Sequence, residues 1–374
     1  MPPPTVLDLF MELAALPSPP GEERAVADVV AQYLRDLRLD VEEDDAGPRV
    51  GSTAGNLYCR LDPTAGGGTP IFLCAHLDTV PPDGPIEPVV EDGVVRNAGG
   101  TILGADDKSA VAAMLEATRR VVAENRPHSG IELLFTPKEE VGLLGAGAFD
   151  HERLRARVGY VYDQAAAIGE VILGAPHAHS MEVRFHGRAA HSGMYPEEGR
   201  SAIVAAARAI SDLRLGRIDE ETTANVGVIS GGTAGNIVPE WCTFLAEARS
   251  HDERRLADVV QEMFDTISFA AGLEDCEVEF DVHPTYRGYR FKRGDEVVRI
   301  AHAALERSGL TPRYGLSGGA ADANVFNERG LTCLNLANGM QDIHTPEERI
   351  AVDDLERMVD VTLALVDVAR DADG

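Results

Sequence analysis

The sequence predicts an α/β fold in which a domain with a central mixed sheet flanked by helices is interrupted by a smaller inserted α+β domain. Three observations predict it. Short apolar segments alternate with segments of helical period in the first and last parts of the chain. Between about 177 and 291 the order changes to β-α-β-β-α-β, the pattern of a ferredoxin-like unit. The chain also has 374 residues, more than one ordinary core holds.

Taken in order, 5–16 and 22–37 carry apolar residues at helical spacing, separated by the breaker Pro17-Ser-Pro-Pro-Gly21. Strands follow near 40–44, 55–61 and 70–76, with Thr64-Ala-Gly-Gly-Gly-Thr-Pro70 as a turn. The spacing then predicts a helix over 107–124 and strands over 130–136 and 158–163. In the insert, strands are expected over 180–187, 224–230, 241–249 and 276–283, with helices over 199–213 and 252–271. From 294 the first pattern returns: helix 295–307, a strand near 331–336 and helix 352–369. The domains are therefore drawn as 1–176 with 292–374, and 177–291.

Composition narrows the function. Hydrophobic residues at 44% and charged residues at 26% describe a soluble globular protein. No stretch approaches the roughly 18 apolar residues of a membrane span, so no membrane partner is expected. Met-Pro-Pro-Pro at the start is not a basic segment followed by an apolar run, so a cytoplasmic location is expected. A net charge of −28 would repel nucleic acid. It fits either a high-salt habitat or a solubility device. The five cysteines (Cys59, Cys74, Cys242, Cys276, Cys333) form no CxxC pair, which argues against a thiolate zinc site or a disulfide framework.

Chemistry concentrates in four segments: Leu73-Cys-Ala-His-Leu-Asp-Thr-Val80, Leu103-Gly-Ala-Asp-Asp-Lys-Ser-Ala110, Ile131-Glu-Leu-Leu-Phe-Thr-Pro-Lys-Glu-Glu-Val-Gly142 and Asp342-Ile-His-Thr-Pro-Glu347. Each has a plain structural reading. His76 and Asp78 end a strand and can face water. Asp107 can cap a helix. Glu139-Glu140 can be a solvated loop, Asp163 a strand boundary and His344 an exposed histidine. Their conjunction says more. Carboxylates and imidazoles recur at the C-terminal ends of separate apolar strands, the edge where ligands collect in α/β sheets. Such a set builds an oxygen- and nitrogen-liganded pair of metals, with one carboxylate spare for proton transfer. Consecutive side chains diverge, so one of Glu139 and Glu140 can bind metal while the other faces a substrate water.

Together these segments, from His76-Leu-Asp-Thr-Val80 through Gly104-Ala-Asp-Asp-Lys108 and Glu139-Glu-Val-Gly-Leu143 to His344-Thr-Pro-Glu347, resemble the dizinc metallopeptidase family that holds peptidase T, glutamate carboxypeptidase, succinyl-diaminopimelate desuccinylase and aminoacylase. The resemblance covers nearly the whole chain and is strongest to the peptidase T branch. It implies that His76 and Asp163 bind one metal, that Glu140 and His344 bind the other, and that Asp106, joined to Asp107 by a cis peptide, bridges them. It further implies that Asp78 orients His76, that Glu139 is the general base, and that the metals are two divalent ions, zinc foremost, with cobalt or manganese as substitutes. His191 in Ala190-His-Ser-Gly193 matches the family's oxyanion histidine, which often reaches across from a partner subunit. Gly231-Gly-Thr-Ala-Gly-Asn-Ile-Val-Pro239, with Asn236, matches its substrate loop, and Gly318-Gly-Ala-Ala-Asp-Ala-Asn324, with Gly319, is a loop suited to presenting backbone N–H groups. Arg249 and Arg287 are candidates for a peptide carboxylate or for structural ion pairs. The inserted domain would then be a lid and the seat of a homodimer.

The expected function is a two-metal exopeptidase that releases the N-terminal residue of short peptides. An N-acyl-amino-acid deacylase or carboxypeptidase is the alternative within enzymes. A non-catalytic peptide- or metal-binding protein is the alternative of another class.

Overall fold

In the computed structural model of the protein, which describes residues 4–372, the chain divides into one unit that runs to Gly174 and resumes at Arg290, and a second from Ala175 to Tyr289. Among the described residues, the sheet of the first unit has eight strands. Their order is Val41–Glu43, Leu57–Leu61, Ile131–Thr136, Ile71–His76, Val158–Val161, Thr332–Leu336, Glu170–Ile172 and Arg313–Gly315. The four from Ile131–Thr136 to Thr332–Leu336 are mutually parallel. Their outer neighbours Leu57–Leu61 and Glu170–Ile172 run antiparallel to them, so the sheet is mixed.

Ile131–Thr136 and Ile71–His76 are buried at every position, which explains their mostly apolar runs; the charged Glu132 within the first accepts from Tyr58 Oη and the N–H groups of Arg155 and Ala156. Gly159 is glycine for a packing reason: the Phe72 ring of the adjacent strand lies over it, and a Cβ there would fall 2.1 Å from Phe72 Cζ. Five longer helices, Val6–Ala14, Arg24–Asp36, Ala105–Ala123, Glu296–Arg307 and Val352–Asp371, share one core with this sheet. Thr5 and Asp8 form a reciprocal capping box that starts the first. Arg24–Asp36 buries Val26, Ala27, Val30, Ala31 and Leu34, the one-sided stripe its period implied. Asp106 and Asp107 are non-helical, so the regular helix begins at Lys108, and the Asp106–Asp107 peptide is cis.

The second unit holds an antiparallel sheet ordered Gly216–Asp219, Thr222–Gly231, Trp241–Ser250, His177–His186, Glu277–Tyr286. Helices Ala202–Asp212 and Glu253–Leu273 pack on it through their own core. In His177–His186 the inward residues Ala178, Met181, Val183 and Phe185 are buried, close to the alternation that marked it as a strand. The β-α-β-β-α-β order is present, with Gly216–Asp219 as an added edge.

Three features differ from the sequence reading. A small sheet of Pro88–Glu91, Val94–Asn97 and Arg349–Ala351 was not foreseen, although Asp92-Gly93, both at positive φ, is a strong hairpin signal. Proline and charges in strands of three or four residues masked it. Glu170–Ile172 and Arg313–Gly315 are likewise too short to show a period. Ala46–Val50 and Leu144–Ala148 are single-turn helices below the same threshold.

Candidate functional site

Because four neighbouring strands run the same way, their C-terminal ends share one edge, and the chemistry follows them. His76 ends one strand, with Asp78 two residues on. Glu139 and Glu140 follow Thr136, and Asp163 follows Val161. The other two contributors come from loops: Asp106 from the kinked start of Ala105–Ala123 and His344 from the segment before Arg349–Ala351.

These side chains converge. Asp106 sits between two imidazoles, with Oδ1 3.2 Å from His76 Nε2 and Oδ2 3.2 Å from His344 Nε2. His344 Nε2 also lies 3.0 Å from Glu140 Oε1. One oxygen or nitrogen each of His76, Asp106 and Glu140 lie within 4.8 Å of one another, and so do those of His76, Glu139 and Asp163. The sequence-predicted ligand set and base are thus brought to one place.

Each is held by a partner of its own. Both oxygens of Asp78 accept backbone N–H groups, Oδ1 from Glu139 at 2.9 Å and Oδ2 from Glu140 at 3.1 Å. His76 Nδ1 meets the Asp78 backbone carbonyl at 2.9 Å, while the carboxylate stands 3.6 Å away. Asp78 therefore orients His76 chiefly through its main chain, and its side chain fixes the two glutamates, a role the sequence reading did not assign. Asn335 accepts the Asp163 N–H at 2.9 Å and donates to the Asp163 carbonyl at 2.7 Å. Backbone strain gathers here too. Lys138 (φ 56°), just before Glu139, and His344 (φ 63°) lie in the left-handed region.

Electrostatics follow from burial and like charge. Burial raises the Glu139 carboxyl well above its ordinary value, and the charge of Asp163 adds to this. Asp163 is raised in the same way, by burial and then by Asp106. For His76, burial pulls the imidazole down, but hydrogen bonds to Asp106 and Asp78 outweigh it and leave the group well above normal. Burial likewise opposes ionisation of Asp106, and the two histidines still hold it below the usual range. Among the described residues, no lysine or arginine forms an ion pair with Glu139, Glu140 or Asp163. The donors are carboxylate oxygen and imidazole nitrogen, with no thiolate. This excess of buried negative charge on hard and borderline donors fits a pair of divalent cations.

Sequence reasoning missed four further contributors. Glu348, buried, lies one residue beyond the quoted His344 segment and accepts the N–H groups of Leu103, Gly104 and Asp106. Asp322, inside the loop noted for Gly319, is buried and accepts from Thr136 Oγ1 at 2.5 Å; burial moves its carboxyl up to about 6. Asn335 was not singled out. Asn338, also overlooked, donates to Ser109 Oγ at 3.1 Å and to the Tyr162 carbonyl at 2.7 Å. The sequence offered a signal only for Glu348 and Asp322, each lying within or beside a marked segment. The Gly319 N–H is donated to Ser317 Oγ at 3.1 Å.

In the second unit, His191 and the glycine-rich loop lie side by side. Ser192 N–H donates to the Asn236 carbonyl at 3.1 Å, and Val238 N–H to the Ala190 carbonyl at 2.9 Å. His191 Nδ1 accepts N–H groups from Gly193 and Met194, both at 3.2 Å. A neutral imidazole held this way carries its proton on Nε2, exposed and free to donate. Arg249 pairs with Glu247 at 2.9 Å and Arg287 with Glu253 at 3.3 Å.

Comparison with known proteins agrees with this geometry. Residues 72–368 match the profile of Peptidase family M20/M25/M40. The chain is 40% identical over 364 residues to an uncharacterized protein, YqjE, of Bacillus subtilis, covering 97% of this chain and 98% of that one. It superposes on the crystal structure of an aminopeptidase PepT from Bacillus cereus with a TM-score of 0.88, at 39% identity over 97% and 98% of the two chains. A tripeptidase from Staphylococcus aureus gives a TM-score of 0.93, at 35% identity over 98% of each chain.

Proposed function

Because the chain belongs to Peptidase family M20/M25/M40, we propose that it acts as a peptidase T-like metallo-exopeptidase releasing the N-terminal residue of short peptides. The observation that carries this reading is Asp106, whose two carboxylate oxygens each face a different histidine at 3.2 Å. The relatives described as an aminopeptidase and a tripeptidase supply the substrate class.

In this reading His76 and Asp163 hold one cation, Glu140 and His344 hold the other, and Asp106 serves both. When bound, a pair of divalent cations would supply Lewis acidity toward the scissile carbonyl and would acidify the attacking water. Glu139 takes a proton from the water that adds to the carbonyl carbon. As the C–N bond breaks, Glu139 passes that proton to the leaving amine. Burial, and then the charge of Asp163, hold its carboxyl above the ordinary value. Asp78 keeps Glu139 and Glu140 at fixed angles to each other. His191, with its proton on Nε2, is suited to donate to the oxyanion that develops in the attack. Asn236 is a candidate substrate contact beside it. The pairing of Arg249 and Arg287 with glutamates of their own unit supports structural roles for both.

The donor set suits zinc, with cobalt or manganese as substitutes. The protein is read as cytoplasmic. Among the described residues no helix is long and apolar enough to cross a membrane. The acidic charge disfavours nucleic acid as a partner.

The test is a panel of a free tripeptide, its N-acetyl form, its C-amide and an N-acetyl amino acid, each with zinc, cobalt or manganese. Cleavage of the tripeptide with release of its N-terminal residue is expected, together with a loss of at least about 100-fold on N-acetylation. This loss reflects a site built for a free amine that is left unpaired. Preference for the acetylated compounds would move the protein to the deacylase or carboxypeptidase reading.

A homodimer through the second unit is part of the same proposal. Gly216–Asp219 pairs only with the first residues of Thr222–Gly231. Beyond Ala224 the strand's outer edge has no partner among the described residues, and Val228 and Ile229 are 55% and 50% exposed. Such an edge is a ready template for a second copy. Sedimentation is expected to show a dimer at micromolar concentration; a monomer that keeps full activity would remove both the dimer and any histidine donated across it.

A further inference from the structure

Glu348 stands out among buried groups the mechanism does not use. It lies four residues after His344, and its carboxylate reaches a segment more than 240 residues away. Oε2 accepts the N–H groups of Leu103 and Gly104, both at 2.8 Å, and Oε1 accepts that of Asp106 at 3.0 Å. Its neighbour Glu347 is exposed.

The connection closes a ring. The segment bearing His344 is shut on itself, since Gln341 and Arg349 exchange backbone hydrogen bonds at 2.9 and 3.1 Å and Arg349 also pairs with the Asp342 carboxylate. Glu348 N–H donates to the Thr345 carbonyl at 3.1 Å inside that turn. From there the Glu348 side chain fixes the main chain of Asp106, whose own carboxylate returns to His344 at 3.2 Å. One short stretch thus supplies an imidazole and holds the backbone of the carboxylate facing it. Groups beyond the immediate donors that fix their orientation commonly govern a cation site as strongly as the donors do.

We propose that Glu348 is a positioning residue that sets Asp106 against His344, and so keeps the two-cation site at its working spacing. The proposal rests on the reading of Asp106 and His344 as ligands. Plain capping of the Ala105–Ala123 helix would predict a change in stability and nothing in cation binding.

The experiment titrates chelator-stripped wild type, Glu348→Gln and Glu347→Gln with cobalt(II), followed by visible absorption and dialysis, with thermal melting and kcat and KM measured in parallel. Glutamine keeps one acceptor but faces an N–H with an NH2 group, so part of the clamp is lost. Expected are two equivalents in wild type and in Glu347→Gln. In Glu348→Gln, affinity for at least one equivalent should fall roughly 10- to 100-fold with an altered cobalt spectrum, and kcat should fall while KM stays within about twofold. A Glu348→Gln protein with wild-type cobalt affinity and spectrum overturns the role of Glu348 alone. Wild type that takes up no cobalt overturns the two-cation reading and this proposal with it. If Glu348→Gln does not fold, amide hydrogen exchange decides on the unaltered protein. Protection of Leu103, Gly104 and Asp106 comparable to the central strands supports the clamp, and exchange at the rate of open loops overturns it.

Discussion

Glu139→Gln is expected to lower kcat on a tripeptide by about 10²- to 10⁴-fold, the range removed with a general base, while the protein still binds two divalent cations. The separation of effects follows from geometry. Glu139 keeps its backbone N–H on Asp78 whatever its side chain carries. The proposed ligands His76, Asp106, Glu140, Asp163 and His344 are left in place, and glutamine matches the shape of the lost carboxylate but takes up no proton. Elemental analysis of the purified variant beside wild type, with steady-state kinetics, checks both halves. A variant that retains more than about a tenth of the wild-type rate would show that another group accepts the proton.

Asp106→Ala is expected to do the opposite and strip the site itself. Among the described residues, Asp106 is the one side chain that pairs with both histidines at hydrogen-bond distance, so its loss should leave at most one tightly held cation. The Lewis-acid contribution of such a pair is several kcal/mol. At about 1.4 kcal/mol per factor of ten, kcat/KM should fall by roughly 10²- to 10⁴-fold, and added zinc should restore little of it. Metal content after dialysis is the direct readout, and a melting curve guards against simple unfolding. If Asp106→Ala still holds two equivalents with half the wild-type rate, Asp106 does not bridge.

The architecture could be read from the sequence wherever period and length were sufficient. Ile131–Thr136 and Ile71–His76 announce themselves because a strand buried on both faces is mostly apolar, here broken only by Glu132, Thr136 and His76. The helix Glu253–Leu273 shows a clear one-sided stripe. The strands of three or four residues in the small sheet carry no clear period, and one pairing joins segments distant in the chain, Arg349–Ala351 with Val94–Asn97. The site divides in the same way. His76, Asp78, Glu139, Glu140 and Asp163 could be placed on one edge because strand ends locate them. Asp106 and His344 sit in loops, where only their conjunction with the strand-end residues pointed to them, and the family resemblance gave each its role. The clamps by Glu348, Asn335 and Asn338 link main-chain groups to side chains more than 170 residues away, and no local pattern encodes such a link. The family resemblance implies that Asp78 orients His76. The structure gives that contact to its carbonyl oxygen because its carboxylate is already occupied by two backbone N–H groups.

That double occupation of Asp78 has a consequence for how such a site can diversify. One carboxylate holds the main-chain N–H groups of both Glu139 and Glu140, so a shift of one is felt by the other. A substitution at Asp78 is therefore felt at both glutamates at once, and neither main-chain position is adjustable through this anchor alone.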